Sequence, residues 1–160
     1  RRLLSGEYKF TVDTCFEKVL EACADRDETW INETIKTQYC ELHRIGFAHS
    51  VEVWQDGDLI GGLYGVSISG VFFGESMFSR QTDGSKLALI ALVARLKAGG
   101  FRLLDTQFIN DHLLTLGGVE ISRKTFRSKL RKALLVNANF EALSDAASPY
   151  ELLQLSTQTS

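Results

Sequence analysis

Two pairs of polar side chains interrupt apolar segments of the sequence. In "GESMFSR", Glu75 stands two positions before Met77, the only methionine of the chain. In "LLDTQFI", Asp105 stands two positions before Gln107. Because residues i and i+2 of a strand point to the same face, each pair is predicted to share one surface. A lone buried carboxylate is costly, so Glu75 either faces water or has a partner that is not always present.

Taken alone, each pair is typical of a hydrogen-bonded network at the end of a sheet. Two such pairs on neighbouring strands favour a functional site. The sequence lacks the patterns that are typical of other common functional sites. There is no Walker loop or dinucleotide fingerprint, and "GVSISG" lacks the glycine of a nucleophile elbow. "RQTDGS" is only faintly similar to the pyrophosphate loop of CoA-dependent acetyltransferases, because it lacks the paired small residues of that loop.

The histidines and cysteines do not predict a metal site or a disulfide. His43, His49 and His112 lack metal-ligand spacing, and His49 beside a strand start is expected to be a structural hydrogen-bonding residue. The cysteine count is three, without a CxxC pair, and Cys23 has the spacing of a helix core position. This cysteine usage favours a reducing compartment, so we expect a cytoplasmic protein.

Composition fits one soluble domain with a sizeable core. The chain has 160 residues, of which 44% are hydrophobic and 24% charged. It lacks the long apolar stretch of a transmembrane helix. Net charge is −2, but "SRKTFRSKLRK" at residues 122–132 holds six basic residues. This run predicts either a contact with a polyanion or a solvated helix face.

Hydrophobic periodicity predicts two helices, a meander of three strands, a third helix, a further strand and a basic helix. "TCFE" resembles a capping box at the start of the first helix, and the second is predicted from Asn32 to Gly46. "QDGD" predicts a hairpin turn, and the glycines of "LIGGLYG" predict a bulge or a close approach of another backbone or of a ligand. The predicted fold class is α+β, an acetyltransferase-like mixed sheet with helices on its faces. We expect one domain over residues 1–135 and a partly loose tail over 136–160.

Long motifs resemble one known family. "HRIGFAHSVEVWQDGDLIGGLYGV", "GESMFSR" with the following "SK", "LLDTQFINDHLLTLGGVEISR" and "ETWI" look like bacterial leucyl/phenylalanyl-tRNA–protein transferases. The resemblance runs from about Tyr8 to Leu130. It implies transfer of Leu or Phe, and also Met, from aminoacyl-tRNA to the N-terminal Arg or Lys of a protein. The product carries a destabilising N-terminus that marks it for degradation.

The resemblance also implies roles for individual residues. Asp105 and Gln107 match the pair that assists attack by the acceptor amine, and Trp30 matches an aromatic that stacks on the terminal adenosine. Glu75 matches a cleft carboxylate, which we infer binds the cationic acceptor residue, and Met77 matches the pocket for the transferred side chain. Further residues are expected to bind substrate or tRNA: Leu63, Leu92 and Asn110 for substrate, and Arg123, Lys124 and Arg127 for the tRNA backbone.

The implied chemistry needs no cofactor, because an aminoacyl ester is already activated without ATP, metal or CoA. The chain departs from the family in two respects. A smaller N-terminal domain with a second aromatic for the adenosine is expected to be missing, which leaves the transferase core. Leu92 and Leu96 stand where some relatives place aromatics. The alternative functions are a CoA-dependent N-acetyltransferase and a non-catalytic RNA-binding module.

Overall fold

The computed structural model describes residues 3, 6–25, 29–106 and 111–157. These residues form a mixed sheet with strand order β1-β2-β3-β4-β5. The strands are β1 (Tyr8–Val12), β2 (Ala48–Gln55), β3 (Asp58–Ile68), β4 (Val71–Ser79) and β5 (Leu103–Asp105). The helices are α1 (Phe16–Ala24), α2 (Glu33–Arg44), α3 (Gly84–Ala98), α4 (Asp111–Thr115), α5 (Arg123–Ala133) and α6 (Pro149–Thr157).

The strand order follows from the connections. Strands β1 to β4 pair as antiparallel neighbours, whereas β5 pairs with β4 in parallel. Helix α3 connects β4 to β5, because parallel neighbours need a crossover. The predicted α+β, acetyltransferase-like mixed sheet is confirmed by this arrangement. No helix of the described part is long and apolar enough to cross a membrane.

Each face of the sheet carries its own apolar core. The α1–α2 core contains side chains of both helices together with Tyr64 and Phe78 from the sheet. The α3 core contains Val51, Leu63 and Phe72 packed against α3. The predicted core position of Cys23 is confirmed, since this residue is buried in the α1–α2 core.

The local signals of the hairpin and of α2 are confirmed. Asp56 and Gly57 have φ of 52° and 85°, as a two-residue turn between right-twisted strands requires. Asn32 caps α2 by accepting a hydrogen bond from the Ile35 N–H at 2.9 Å. Gly46 follows this helix with φ of 89°, a conformation that glycine adopts without strain.

The predicted close backbone approach at the glycines of β3 is also confirmed. A Cβ atom at Gly61 would collide with the backbone of Gly84, the first residue of α3. Two residues without side chains therefore let α3 start directly against the sheet. A bulge is present as well, between β3 and β4.

Two expectations about the chain are wrong. The capping box fails because α1 begins one residue later: its N-cap is Cys15, without a side-chain cap, and the Thr14 hydroxyl donates to the Val12 carbonyl. The segment after residue 135 is not loose over the described residues 136–157. Phe140 and Leu152 are buried in the α3 core, and α6 packs against α3. The domain division at residue 135 stays a prediction.

Candidate active site

A bulge in β4 determines where the first pair of polar residues points. Gly65 pairs with Gly74 and Tyr64 pairs with Ser76, so Glu75 is the extra residue without a register partner on β3. Such an insertion reverses the alternation of side chains in the rest of the strand.

The bulge separates Glu75 from Met77. Met77 pairs with Leu63 and packs against the α3 core. Glu75 instead bonds to Tyr39 of α2, on the opposite side of the sheet. The prediction that these two side chains share a face is therefore wrong, because it assumed an unbroken strand.

The Glu75 carboxylate is partly buried and accepts a hydrogen bond from the Tyr39 hydroxyl. Burial raises the pKa of Glu75, the bond from Tyr39 opposes that rise, and the charge of Asp105 adds to it. The pKa of Tyr39 is raised in turn by its own burial and by the charge and hydrogen bond of Glu75. Tyr39 therefore remains a neutral donor, which suits it to hold an ionised carboxylate.

Asp105 lies at the end of β5, beside β4. It is the last residue of β5 and pairs with Phe73, two residues before Glu75. In the described residues the pairing of β4 with β5 ends there, while β4 continues to Ser79. The structure thus brings Asp105 close enough to Glu75 for their charges to interact. The predicted residues Gln107 and Asn110 lie outside the described residues.

Trp30 lies in the same region because its ring contacts that of Tyr39. Its indole is 52% exposed, just before α2, and its ring meets that of Tyr39 edge-on with centroids 6.4 Å apart. An exposed indole can receive a base by stacking. Trp30 therefore contacts Tyr39, whose hydroxyl bonds to Glu75, and the charge of Asp105 acts on that carboxylate from β5.

Sequence reasoning missed Tyr39 as a functional candidate. It belongs to the apolar stripe of α2 and packs edge-on against Tyr64 at 5.2 Å, as a core residue would. Only its hydroxyl group reaches Glu75, and helical periodicity carries no signal for that contact.

The residues predicted to line the donor pocket lie on the α3 side of the sheet. Leu63 and Leu92 are 3% and 1% exposed and belong to the α3 core, against which Met77 packs. A contact of these three side chains with a donor amino acid stays a prediction.

The predicted basic helix is present as α5. Ser122 caps it by accepting a hydrogen bond from the Thr125 N–H at 3.1 Å. Arg123, Lys124 and Arg127 are exposed on its surface. Its last residue is tied to the turn between β3 and β4 by a bond from the Gly70 N–H to the Ala133 carbonyl, at 3.0 Å. The helix therefore presents its positive charges to solvent from a fixed position.

Two buried polar groups serve the fold rather than the site. The carboxylate of Glu52 accepts hydrogen bonds from Thr11 and Ser50 at 2.6 and 2.5 Å, and burial raises its pKa. His49 bonds to Asp13 at 2.7 Å, which confirms its predicted structural role. In the described part of the chain, no cluster of His, Cys, Asp and Glu side chains could hold a metal ion.

The fold and site define an α+β protein with two neighbouring carboxylates, one on β4 and one on the last residue of β5. A family model described as "Leucyl/phenylalanyl-tRNA protein transferase" matches residues 1–131. The chain is 53% identical over 160 residues to the leucyl/phenylalanyl-tRNA–protein transferase of Ruegeria pomeroyi, which covers all of this chain and 76% of the relative. It is 55% identical over 145 residues to that of Paramagnetospirillum magneticum, covering 88% and 69%.

The chain therefore belongs to the leucyl/phenylalanyl-tRNA–protein transferase family, as the sequence motifs predicted. Among solved structures, a ribosomal-protein-alanine N-acetyltransferase from Brucella melitensis is similar, with a TM-score of 0.48 and 12% identity over 72% of this chain and 94% of that one.

Proposed function

We propose that this protein transfers an amino acid from aminoacyl-tRNA to the N-terminal amine of an acceptor protein. The names of its relatives support this activity. The observation that carries it is the proximity of Glu75, bonded to Tyr39, to Asp105 at the end of β5. Two carboxylates beside an exposed indole suit one substrate that is cationic and another that ends in a base.

The reaction needs a positioned amine rather than a strong base. An α-amine has a pKa of about 7.7–8.0, so a useful fraction is neutral at physiological pH. Its nitrogen attacks the ester carbonyl, a C–N bond forms, and the C–O bond to the ribose breaks. The proton released by the amine ends on the ribose oxygen. Asp105 stabilises the developing ammonium, and Gln107 orients the amine.

Substrate choice follows from charge and shape. Glu75 receives the side chain of an N-terminal Arg or Lys on the acceptor, and its partial burial strengthens that ion pair. Met77 packs against the transferred side chain, for which Leu, Phe and Met are the donors. Arg123, Lys124 and Arg127 contact the tRNA backbone. The product is an N-terminal degradation signal, and the protein acts in the cytoplasm.

A three-tube comparison separates this function from its alternatives. Each tube contains the chain and a peptide with N-terminal Arg, and mass spectrometry reads the peptide product. The first tube receives Leu-tRNA, the second acetyl-CoA, and the third uncharged tRNA, for which binding is measured. We expect a mass increase of one leucine in the first tube only. Acetylation in the second would favour an N-acetyltransferase, and tRNA binding without transfer would favour an RNA-binding module.

A further inference from the structure

A single aromatic ring connects the strands that carry the two carboxylates. Phe140, in the segment between α5 and α6, is 5% exposed. Its ring stacks on Phe72 of β4, with centroids 5.6 Å apart and planes inclined by 15°. It meets Phe101, two residues before β5, edge-on at 6.4 Å. On a third side it stacks on His49 of β2 at 4.1 Å. Phe140 therefore fills the junction of β2, β4 and the start of β5.

A buried cation holds this ring in place. Arg95 of α3 is 5% exposed, and its Nη1 donates to the Phe140 carbonyl at 3.0 Å. Its Nη2 donates to the Asp145 carboxylate at 2.6 Å, and its guanidinium lies 5.4 Å from the Phe140 ring centroid. A buried guanidinium is stabilised only when it is paired and hydrogen-bonded. Both acceptors come from the segment that carries Phe140, so the position of that segment is tied to α3.

The backbone adds a contact beside the ring. The Asn139 N–H donates to the Gly99 carbonyl at 2.9 Å. A Cβ atom at Gly99 would collide with the Asn139 carbonyl oxygen. The chain next to Phe140 thus lies directly against the end of α3, which leads into β5 through Phe101. The ring, the guanidinium and the backbone restrain the same short segment.

The restraint lies close to the reacting groups. Phe72 pairs with Leu104, and the next pair along the strands is Phe73 with Asp105. Glu75 follows two residues later on β4. A shift of Phe140 would displace these last residue pairs of β4 and β5, and they determine the distance between Glu75 and Asp105.

We propose that Phe140 and Arg95 are positioning residues for aminoacyl transfer, which act by fixing the separation of β4 and β5. This inference rests on the proposed function for its catalytic readout. It assigns a role to the chain after residue 135, in which no residue has been assigned a contact with either substrate.

The test compares Phe140→Ala with Leu152→Ala. Both truncate a buried apolar side chain of the same C-terminal segment, but Leu152 lies on α6, which packs against α3. Transfer of leucine from Leu-tRNA is measured well below the melting temperature of each variant. We expect Phe140→Ala to lower kcat roughly 10- to 100-fold with little change in the KM for tRNA, because small misplacements of reacting groups have effects of that size. Leu152→Ala, at a similar loss of Tm, should keep the wild-type kcat.

A second variant and a second measurement test the same role of Phe140 and Arg95. Arg95→Met removes the hydrogen bonds to Phe140 and Asp145 without leaving a buried charge, and it should also lower kcat. Phe140→Leu serves if Phe140→Ala fails to fold. Amide hydrogen exchange of residues 71–79 and 101–106 should quicken about 10-fold in the Phe140 and Arg95 variants and stay unchanged in Leu152→Ala.

Equal kcat and equal exchange in all variants would overturn the positioning role. A wild-type protein that transfers no leucine would contradict the proposed function instead, and the exchange measurement would still decide whether Phe140 and Arg95 fix the two strands.

Discussion

Replacing Tyr39 with Phe should make acceptor use more sensitive to acid. The substitution removes only the hydroxyl that donates to Glu75 and keeps the ring contacts with Trp30 and Tyr64. The lost bond stabilises the ionised carboxylate, so its removal raises the pKa of Glu75 further. A cationic acceptor requires the ionised form. The acid limb of the kcat/KM profile should therefore move to higher pH.

The size of the effect follows from the hydrogen bond. A bond to a charged group contributes about 1.5–3 kcal/mol, and the partial exposure of Glu75 favours the lower end. A difference of about 1.4 kcal/mol corresponds to roughly tenfold. We expect kcat/KM for an Arg acceptor to fall about 10-fold relative to wild type at mildly acidic pH. At alkaline pH, where Glu75 is ionised in both proteins, the two should be nearly equal.

The assay measures leucine transfer to a peptide with N-terminal Arg between about pH 5.5 and pH 8.5. The α-amine itself titrates in this range, but its effect cancels in the ratio of variant to wild type. Tyr150→Phe, which alters an exposed tyrosine of α6, is the matched control and should leave the ratio flat. Glu75→Gln should remove only the part of the acid limb that belongs to Glu75, so its kcat/KM relative to wild type should rise as pH falls. A ratio for Tyr39→Phe that does not change with pH would refute the role given to this hydrogen bond.

Four further predictions concern catalysis, tRNA binding, donor choice and the stability of the fold. Asp105→Ala should lower kcat by roughly 10²–10⁴ with little change in donor binding, and near-native turnover would contradict its role. Replacing Lys124 and Arg127 with Ala should weaken tRNA binding and reduce the slope of log K against log salt by up to about two contacts; an unchanged slope would mean a solvated surface. Wild type should use Leu-tRNA and Phe-tRNA but use Ile-tRNA and Val-tRNA poorly. Side chains that branch at Cβ are restricted at χ1 and would clash in a pocket that is narrow near the ester. Met77→Ala should weaken Leu transfer most in kcat/KM, and equal use of Ile and Leu by wild type would exclude a narrow pocket. Burial raises the pKa of Glu52 in the folded protein, so its contribution to stability is full at low pH and is lost as pH rises through that pKa. The free energy of unfolding, measured at about pH 5 and pH 8, should therefore increase for wild type relative to Glu52→Gln as pH falls. An equal change with pH in both proteins would contradict this.

Features that depend on a few neighbouring residues could be predicted from the sequence. The turn at Asp56 and Gly57 needs only two residues that accept positive φ, and α2 needs only Asn32 before it and Gly46 after it. The close approach at Gly61 was predicted because a glycine-rich strand interior has few other causes. The family itself was recognised from long motifs that span most of the chain.

Features that depend on pairing between distant segments could not be predicted. The bulge at Glu75 is a property of two strands together, so the alternation of one strand placed Glu75 and Met77 on a common face. The burial of Phe140 depends on Arg95, which is 45 positions away along the chain. Asp105 was predicted to lie on a strand next to that of Glu75, and the sheet confirms this, but the proximity of the two carboxylates depends on the register of β4 and β5.

The most direct test follows a single turnover with Leu-tRNA labelled in its amino acid. The protein is mixed with this donor and with a peptide that has N-terminal Arg, and a second mixture contains the same peptide acetylated at its N-terminus. Tandem mass spectrometry locates any added leucine. We predict leucine on the α-amine of the free peptide and none on the blocked one. Leucine that stays on the tRNA in both mixtures, or that reaches both peptides equally, would contradict it.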